Sequence, residues 1–460
     1  MTGRAVVLRG DARALPLPDE SVDLICTSPP YFALRSYSDG GEHYAGQIGA
    51  EATPAEYIAA LMECTREWMR VLKPTGSLFV DLGDKYSTGN SGESRMAELG
   101  QRYRGGGHSE ARARSASVVG MQPKSLIGLP WRYALGCVDQ LGLILRAEIV
   151  WSKPNGLPES VTDRVRRSHE QWFHLTRRPR YYSAVDEIRE PHTGNSHPAG
   201  KRAAVTSWES GNGLRHRTGR TDLEMFNPLG KLPGSVWEIP SEPLRVPAHL
   251  GVDHFAAFPT EWPRRIITGW SPPGICVECG EGRRPVASAV GLDMTRPQAR
   301  RAHELAQRAA LTEAHLSALL SVGVSDTGRG AATQTGTGKN TAEVYALAAE
   351  ARTVLGGYAR EYLLRRPTRF VYACACPQPT APTRPTVVVD PFGGTGTTAL
   401  VASVLGRIGI TVDRSADYCR LAAWRTSDAG ERARAMRVAK PPAQSNGQTS
   451  LFDHTPEVVK

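Results

Sequence analysis

No apolar stretch in the 460-residue chain reaches the roughly 18 residues that suggest a membrane span. The opening MTGRAVVLRGDARALP lacks the apolar core of a secretory signal, so a cytoplasmic enzyme or binding protein with no membrane partner is expected. Cysteine is sparse, and eight in so long a chain exclude a disulfide framework. Acidic residues are also in deficit. Lys and Arg outnumber Asp and Glu by 56 to 46, a formal charge of +10 that suits a polyanion such as nucleic acid.

What is present is ordinary globular material. With 40% hydrophobic residues there is enough for at least one large core and two or three structural units. AVVLRG and VDLIC, within residues 5–26, read as short strands, residues 54–72 repeat apolar residues at helical spacing, and SLFVDLGD reads as a strand. A helix near 126–141, the strand LILRAEIVWSK and the apolar EQWFHLTR follow. Further helices are expected after Pro259 to 270, from about 297 to 322 and from about 341 to 364. Late in the chain, TVVVDPFGGTGTTALVASVLGRIGITVDRS gives a β-branched strand, a glycine turn, a helix and a second strand ending in Asp413. This alternation predicts an α/β sheet with helices on its faces. Residues 85–123 are expected to be a mobile loop, 183–250 to hold no firm elements, and the charged tail beyond Asp428 to be disordered.

Two short motifs carry chemistry. In DPFGGTGTT, Asp390 closes a buried strand, and Gly393, Gly394 and Gly396 let the backbone turn beneath a ligand before a helix starting near Thr397. Asp413, at the end of the next strand, suits ribose hydroxyls. The same logic fits NAD enzymes, and a plain tight turn as well. In TSPPY, Ser28 offers a hydroxyl and Pro29 a fixed carbonyl, while Pro29 and Pro30 stiffen the backbone and Tyr31 adds an aromatic face. Taken alone it is a proline turn capping a strand.

Together and in this order, TSPPY and DPFGGTGTT resemble the signature motifs of the amino-methylating DNA methyltransferases, specifically the β group, whose catalytic half precedes the S-adenosylmethionine loop. VLKPTGSLFVDLGD, IVWSKPNGLPESVTDRVRRSHEQWFHLTR, GSVWEI and HFAAFPTEWPRRII match the same pattern. The resemblance implies a Rossmann-like S-adenosylmethionine-dependent methyltransferase sheet, circularly ordered, acting on double-stranded DNA. It assigns catalysis to Ser28, Pro29, Pro30 and Tyr31, and the cofactor to Phe258, Pro259, Asp390, Phe392, Gly394, Thr395, Gly396, Thr397 and Asp413. It also implies a cognate restriction endonuclease wherever such an enzyme serves a restriction-modification pair. One departure is Thr411-Val412 before Asp413, where the family more often has Gly-Ile, which leaves the register of that carboxylate open.

An exocyclic amine on a base is a poor nucleophile because its lone pair is delocalised into the ring. Two preorganised acceptors, the Ser28 hydroxyl and the Pro29 carbonyl, can localise that pair toward the sulfonium methyl. Tyr31 would stack the flipped base, and transfer would be a direct displacement governed by positioning. Methylation at carbon-5 of cytosine calls for a Pro-Cys thiol, and the chain has no Pro-Cys. Serine at the first motif position resembles the cytosine-N4 enzymes, whereas adenine-N6 enzymes usually carry Asp or Asn, and adenine stays open. A non-catalytic sequence-specific DNA-binding protein and an RNA or protein methyltransferase are the rivals from other classes.

Cys276-x-x-Cys279 and Cys374-Ala-Cys376 could complete a structural zinc site, provided the long stretch between them is an insertion whose ends meet. Reduced, unliganded cysteines are the alternative. Inside, ELAQRAALTEAHLSALLSVGVSDTGRG resembles a helix-turn-helix with Leu305 and Ala306 inward and a turn at Ala310 to Thr312. A plain helical hairpin reads equally well. Arginines in 85–120 and 164–180 suit DNA phosphates. The expected organisation is a catalytic half at 1–180 and a target-recognition region at 181–250. The cofactor half follows at 251–275 and 377–428, with a zinc-knuckle helical insertion at 276–376 and a tail at 429–460.

Overall fold

The computed structural model describes residues 3–439 except 35–37, 40–41, 44–45, 88–120, 157, 192–229, 253–256, 288–291, 293, 295–296, 324–340, 364–369, 375 and 377–380. Most of the expected 85–123 loop, the middle of the region expected to recognise the target and residues 440–460 therefore lie outside the described residues.

The chain opens with β1 (Arg4–Arg9), β2 (Val22–Thr27), α1 (Pro54–Val71), β3 (Leu72–Leu82), α2 (Leu129–Asp139), β4 (Ile144–Ser152), β5 (His169–Thr176), β6 (Val236–Glu238) and α3 (Glu261–Trp270). The insertion holds β7 (Ile275–Cys276), β8 (Arg284–Ala287), α4 (Pro297–Arg308), α5 (Glu313–Gly323), α6 (Ala342–Leu355), α7 (Ala359–Leu363), β9 (Phe370–Ala373) and β10 (Thr383–Arg384). β11 (Val387–Asp390), α8 (Thr397–Val404), β12 (Ile408–Asp413), α9 (Ala416–Ser427) and α10 (Ala429–Met436) complete it. Among the described residues no helix is long and apolar enough to cross a membrane.

Eight strands form one sheet in the order β1-β12-β11-β2-β3-β5-β4-β6. From β1 to β3 all neighbours are parallel, and β5 runs antiparallel between β3 and β4. The last two strands of the chain thus slot between its first two, which gives the expected circular order. β2 (VDLICT) is buried along its whole length, as a strand covered on both faces must be.

Each face has its own core. α1 begins with a capping box: Thr53 accepts from the Glu56 N–H, and Glu56 accepts from the Thr53 N–H. It buries Tyr57, Leu61, Met62 and Trp68 on the first face. Val401 and Ala402 of α8 join Ile266 and Ile267 of α3 and three tryptophans, Trp172, Trp237 and Trp262, on the second. The helix after β11 therefore covers one face and the helix after β2 the other. That reversal between adjacent strands is the place where open α/β sheets bind ligands.

Two expectations need correction. Residues 183–250 do hold elements: β6 pairs in parallel with β4 as an edge strand, and Val185–Ile188 forms a 3-10 turn. Trp237 on β6 is buried and supplies the reason, one aromatic anchor in an otherwise polar stretch. Within 297–322 the chain turns at Ala310, as expected, where φ is 48° between α4 and α5. The tail is not disordered from its start, because residues 429–436 form α10. Asp428 caps that helix by accepting from the Glu431 N–H, and Ala433 and Ala435 are buried. A small alanine face among charges gave no hydrophobic signal.

The ends of the insertion meet. β7 pairs with β10 and β8 with β9, so its root spans Ile275 to Arg384, slightly beyond the expected 276–376. Helices α4 to α7 pack on one another around Ala302, Ala306, Leu319, Ala351, Leu355 and Tyr362. Leu305 and Ala306 face inward as expected, but α5 also packs against α6 through Ala318, Val322, Val344 and Ala348.

Candidate active site

A cleft of about 810 Å³, part of it open solvent, lies at the carboxyl ends of β1, β12, β11 and β2. Ser28 and Pro30 line one side, and Pro391, Phe392, Gly394, Thr395 and Asp413 line the other. The two motifs distant in sequence thus share one cavity of ligand size.

Asp390 joins them from below. It is 1% exposed and does not line the cleft. It accepts hydrogen bonds from Thr27 Oγ1 at 2.6 Å, Thr398 Oγ1 at 3.1 Å and the Phe392 N–H at 3.1 Å. Burial pushes its carboxyl up to about 7 while those donors pull the other way. Above it, Gly394 (φ 47°) and Gly396 (φ 73°) take left-handed conformations. A Cβ on Gly393 would lie 1.5 Å from Thr411 Oγ1, so the bend requires glycine there. Asp413 accepts from the Gly394 N–H and the Ser415 N–H, both at 2.9 Å. Thr411 pairs with Asp390 across the ladder, so the residues preceding Asp413 leave its carboxylate at the strand end.

The SPPY corner is held with equal care. Tyr57 of α1 donates to the Pro30 carbonyl at 2.9 Å. The Tyr31 hydroxyl lies 3.1 Å from Asp81 Oδ2 and 3.0 Å from Glu170 Oε2, and one proton can serve only one of them. Ser28 Oγ is 3.4 Å from the same Asp81 oxygen. Lys153 pairs with Glu170 at 2.6 Å. Burial, and next the Glu170 charge, push the Asp81 carboxyl well above the usual range. Its Oδ1 is buried with no hydrogen-bond partner.

The structure therefore brings together Ser28, Pro30, Phe392, Gly394, Thr395 and Asp413. Pro29 is buried, and Tyr31 turns its hydroxyl to the carboxyl pair with its ring against Gly83. Gly396 and Thr397 start α8 behind the cleft. Phe258 and Pro259 are not among the residues that line the cleft. Phe258 sits edge-on to Trp172 at 5.7 Å, and Pro259 is buried before α3.

Sequence reasoning missed Asp11, Arg13, Gln47, Arg414 and Tyr418, which line the cleft, and the Asp81–Glu170 pair. Asp11 is held by Arg13, whose hydrogen bonds lower its carboxyl. A carboxylate inside the apolar run SLFVDL was the available signal for Asp81.

The family model described as DNA methylase (N6_N4_Mtase) matches residues 22–277, more than half of the chain. The chain belongs to this DNA methylase family. The match begins with β2 and ends where the insertion opens. Type II methyltransferase M.Cfr9I of Citrobacter freundii is 34% identical to the methylase over 275 residues, covering 59% of this chain and 74% of the relative. Type II methyltransferase M.SmaI of Serratia marcescens is 34% identical over 270 residues, covering 58% and 76%. Among solved structures, PvuII DNA methyltransferase (cytosine-N4-specific) is 14% identical, with a TM-score of 0.44 over 95% of this chain and 92% of that one. The sheet of the methylase is the Rossmann-like one of S-adenosylmethionine-dependent methyltransferases, and the protein is a DNA methyltransferase.

The four cysteines expected to bind metal converge. One sulfur from each of Cys276, Cys279, Cys374 and Cys376 lies within 4.8 Å of the others. The β8–β9 pairing delivers Cys374 beside the knuckle, where Gly280 (φ 72°) turns the chain and donates its N–H to the Cys276 carbonyl. Burial raises the Cys276 thiol, but the N–H groups of Cys279 and Glu278 and the Cys374 and Cys279 thiols together outweigh it and bring it down to about 7. A tetrahedron of thiolates around zinc has edges of about 3.8 Å, so the cluster suits that ion.

Proposed function

We propose that the methylase transfers a methyl group from S-adenosylmethionine to the exocyclic N4 amine of cytosine in double-stranded DNA, as a β-group enzyme. The observation that carries this reading is the shared cleft, with Ser28 on one wall and the Gly394–Asp413 bend on the other. The bound cofactor supplies an electrophilic methyl. Asp413, oriented by two N–H groups at the cleft wall, is the carboxylate that would accept from ribose hydroxyls. The extruded cytosine would present its amine to the Ser28 hydroxyl and the Pro29 carbonyl, with Tyr31 beside the base. Serine as the first motif residue favours cytosine.

The amine must shed a proton as it gains the methyl. Asp81, whose Oδ2 lies 3.4 Å from Ser28 Oγ, is a carboxyl placed to receive that proton when ionised. The cysteine cluster is read as a structural zinc site that clasps the insertion, with no part in the chemistry. The Type II names of the relatives support a place in restriction-modification, with a cognate endonuclease as partner.

The test is mass spectrometry of nucleosides from duplex DNA incubated with the protein and S-adenosylmethionine. N4-methylcytosine, absent with Ser28→Ala, is the expected result. N6-methyladenine would reassign the target base, and neither base would overturn the catalytic reading.

A further inference from the structure

Arg425 is 2% exposed on α9, outside every motif that the sequence offers. Its Nη1 lies 2.7 Å from Thr395 Oγ1 and 2.6 Å from Thr397 Oγ1, close enough to give one hydrogen to each. Its Nε donates to Glu431 Oε2 of α10 at 3.1 Å, and Glu431 is itself buried. Thr395 lines the cleft next to Gly394, and the two hydroxyls lie 3.1 Å apart.

The glycine bend needs such a hold. Glycines lose the most conformational freedom on ordering, and α8 starts at Gly396 with no side-chain cap. A Cβ on Gly396 would lie 3.0 Å from the Ala422 Cβ, so α9 lies flush against the bend. The planar guanidinium grips both hydroxyls through Nη1 and the carboxylate through Nε, a rigid fork of donors that an ammonium lacks. Burying that cation requires a partner, and α10 provides it.

We propose that Arg425, neutralised by Glu431, is a positioning residue for cofactor binding: by fixing the Thr395 and Thr397 hydroxyls it pre-shapes the backbone that meets S-adenosylmethionine. The inference rests on the reading of the cleft as the cofactor site. It also gives α10 a function, since this helix carries the counter-charge.

The test uses the full chain in three forms: wild type, Arg425→Met/Glu431→Met and Thr395→Val/Thr397→Val. S-adenosylmethionine is titrated by calorimetry, and methyl transfer is followed to separate KM from kcat. Both variants should weaken S-adenosylmethionine about tenfold, the effect of losing a charge-assisted hydrogen bond, and raise its KM more than they lower kcat, with KM for DNA unmoved. A merely structural role would lower Tm and leave that KM alone. Folded variants that bind like wild type overturn the inference. If the methionine pair fails to fold, the valine pair, which keeps the ion pair, decides it by the same two outcomes. A wild-type protein that binds no S-adenosylmethionine overturns the underlying reading, and this inference with it.

Discussion

Thr27 donates a 2.6 Å hydrogen bond to Asp390, a residue 363 positions further along the chain. It lies directly before Ser28, and Asp390 lies directly below the glycine bend. One buried contact therefore sets the distance between the two walls of the cleft. Thr398 reinforces it, reaching both Asp390 and the Cys26 carbonyl at 3.1 Å.

Thr27→Val keeps the shape and removes the donor. With Asp390 left short of a partner, stability should fall by about 1–3 kcal/mol in urea unfolding. The turnover of methyl transfer should fall as well, because the walls lose their common reference. Unchanged stability and turnover would show that the strut is dispensable.

The pH dependence of stability has a definite sign. Asp390 is raised to about 7 when folded and has an ordinary carboxylate pKa when unfolded. Between those values the native state keeps a proton that the unfolded chain has lost. Stability should therefore decline as pH rises across that window and level off above it. Asp81, also raised, acts in the same sense. Asp390→Asn should flatten part of the decline, measured as the difference between wild-type and variant unfolding free energy from about pH 4 to about pH 8. Parallel curves for the two proteins would remove Asp390 as the cause.

Asp81→Asn tests the proton acceptor. Turnover should drop about 100-fold or more, while S-adenosylmethionine affinity stays within error, because Asp81 touches the SPPY corner and does not line the cofactor side. Glu170→Gln should have a smaller effect, through Tyr31 and Lys153. Equal turnover in Asp81→Asn and wild type would refute the assignment.

For the cysteine cluster, metal analysis of freshly purified protein should give one zinc per chain. Changing all four cysteines to Ser, or chelation, should lower Tm and expose the insertion to protease ahead of the sheet. Metal-free protein with an unchanged melting profile would argue for plain reduced thiols.

The readable parts of the molecule were the local ones. β11, the glycine bend and β12 are contiguous, and their β-branched and glycine pattern reports the backbone directly. TSPPY is likewise a rigid tip whose conformation its own prolines fix. The helix α10 was hidden because its buried face is alanine and one glutamate paired with Arg425, which leaves no hydrophobic periodicity to read. The packing partner of Phe258 was hidden for a related reason. An aromatic in a familiar pattern fixes its neighbourhood in the chain, whereas the tryptophan it packs against comes from another strand.

The sequence by itself determined the strands around the two motifs, the motifs, their order and the cysteine spacing, because each is set by the covalent and steric preferences of neighbouring residues. Tertiary structure alone decided that Ser28 faces Gly394, that Asp81 stands against Glu170, and that Arg425 spans two threonines and a glutamate. Those pairings depend on strand order and on desolvated charges finding partners far along the chain, and one-dimensional periodicity carries no record of either.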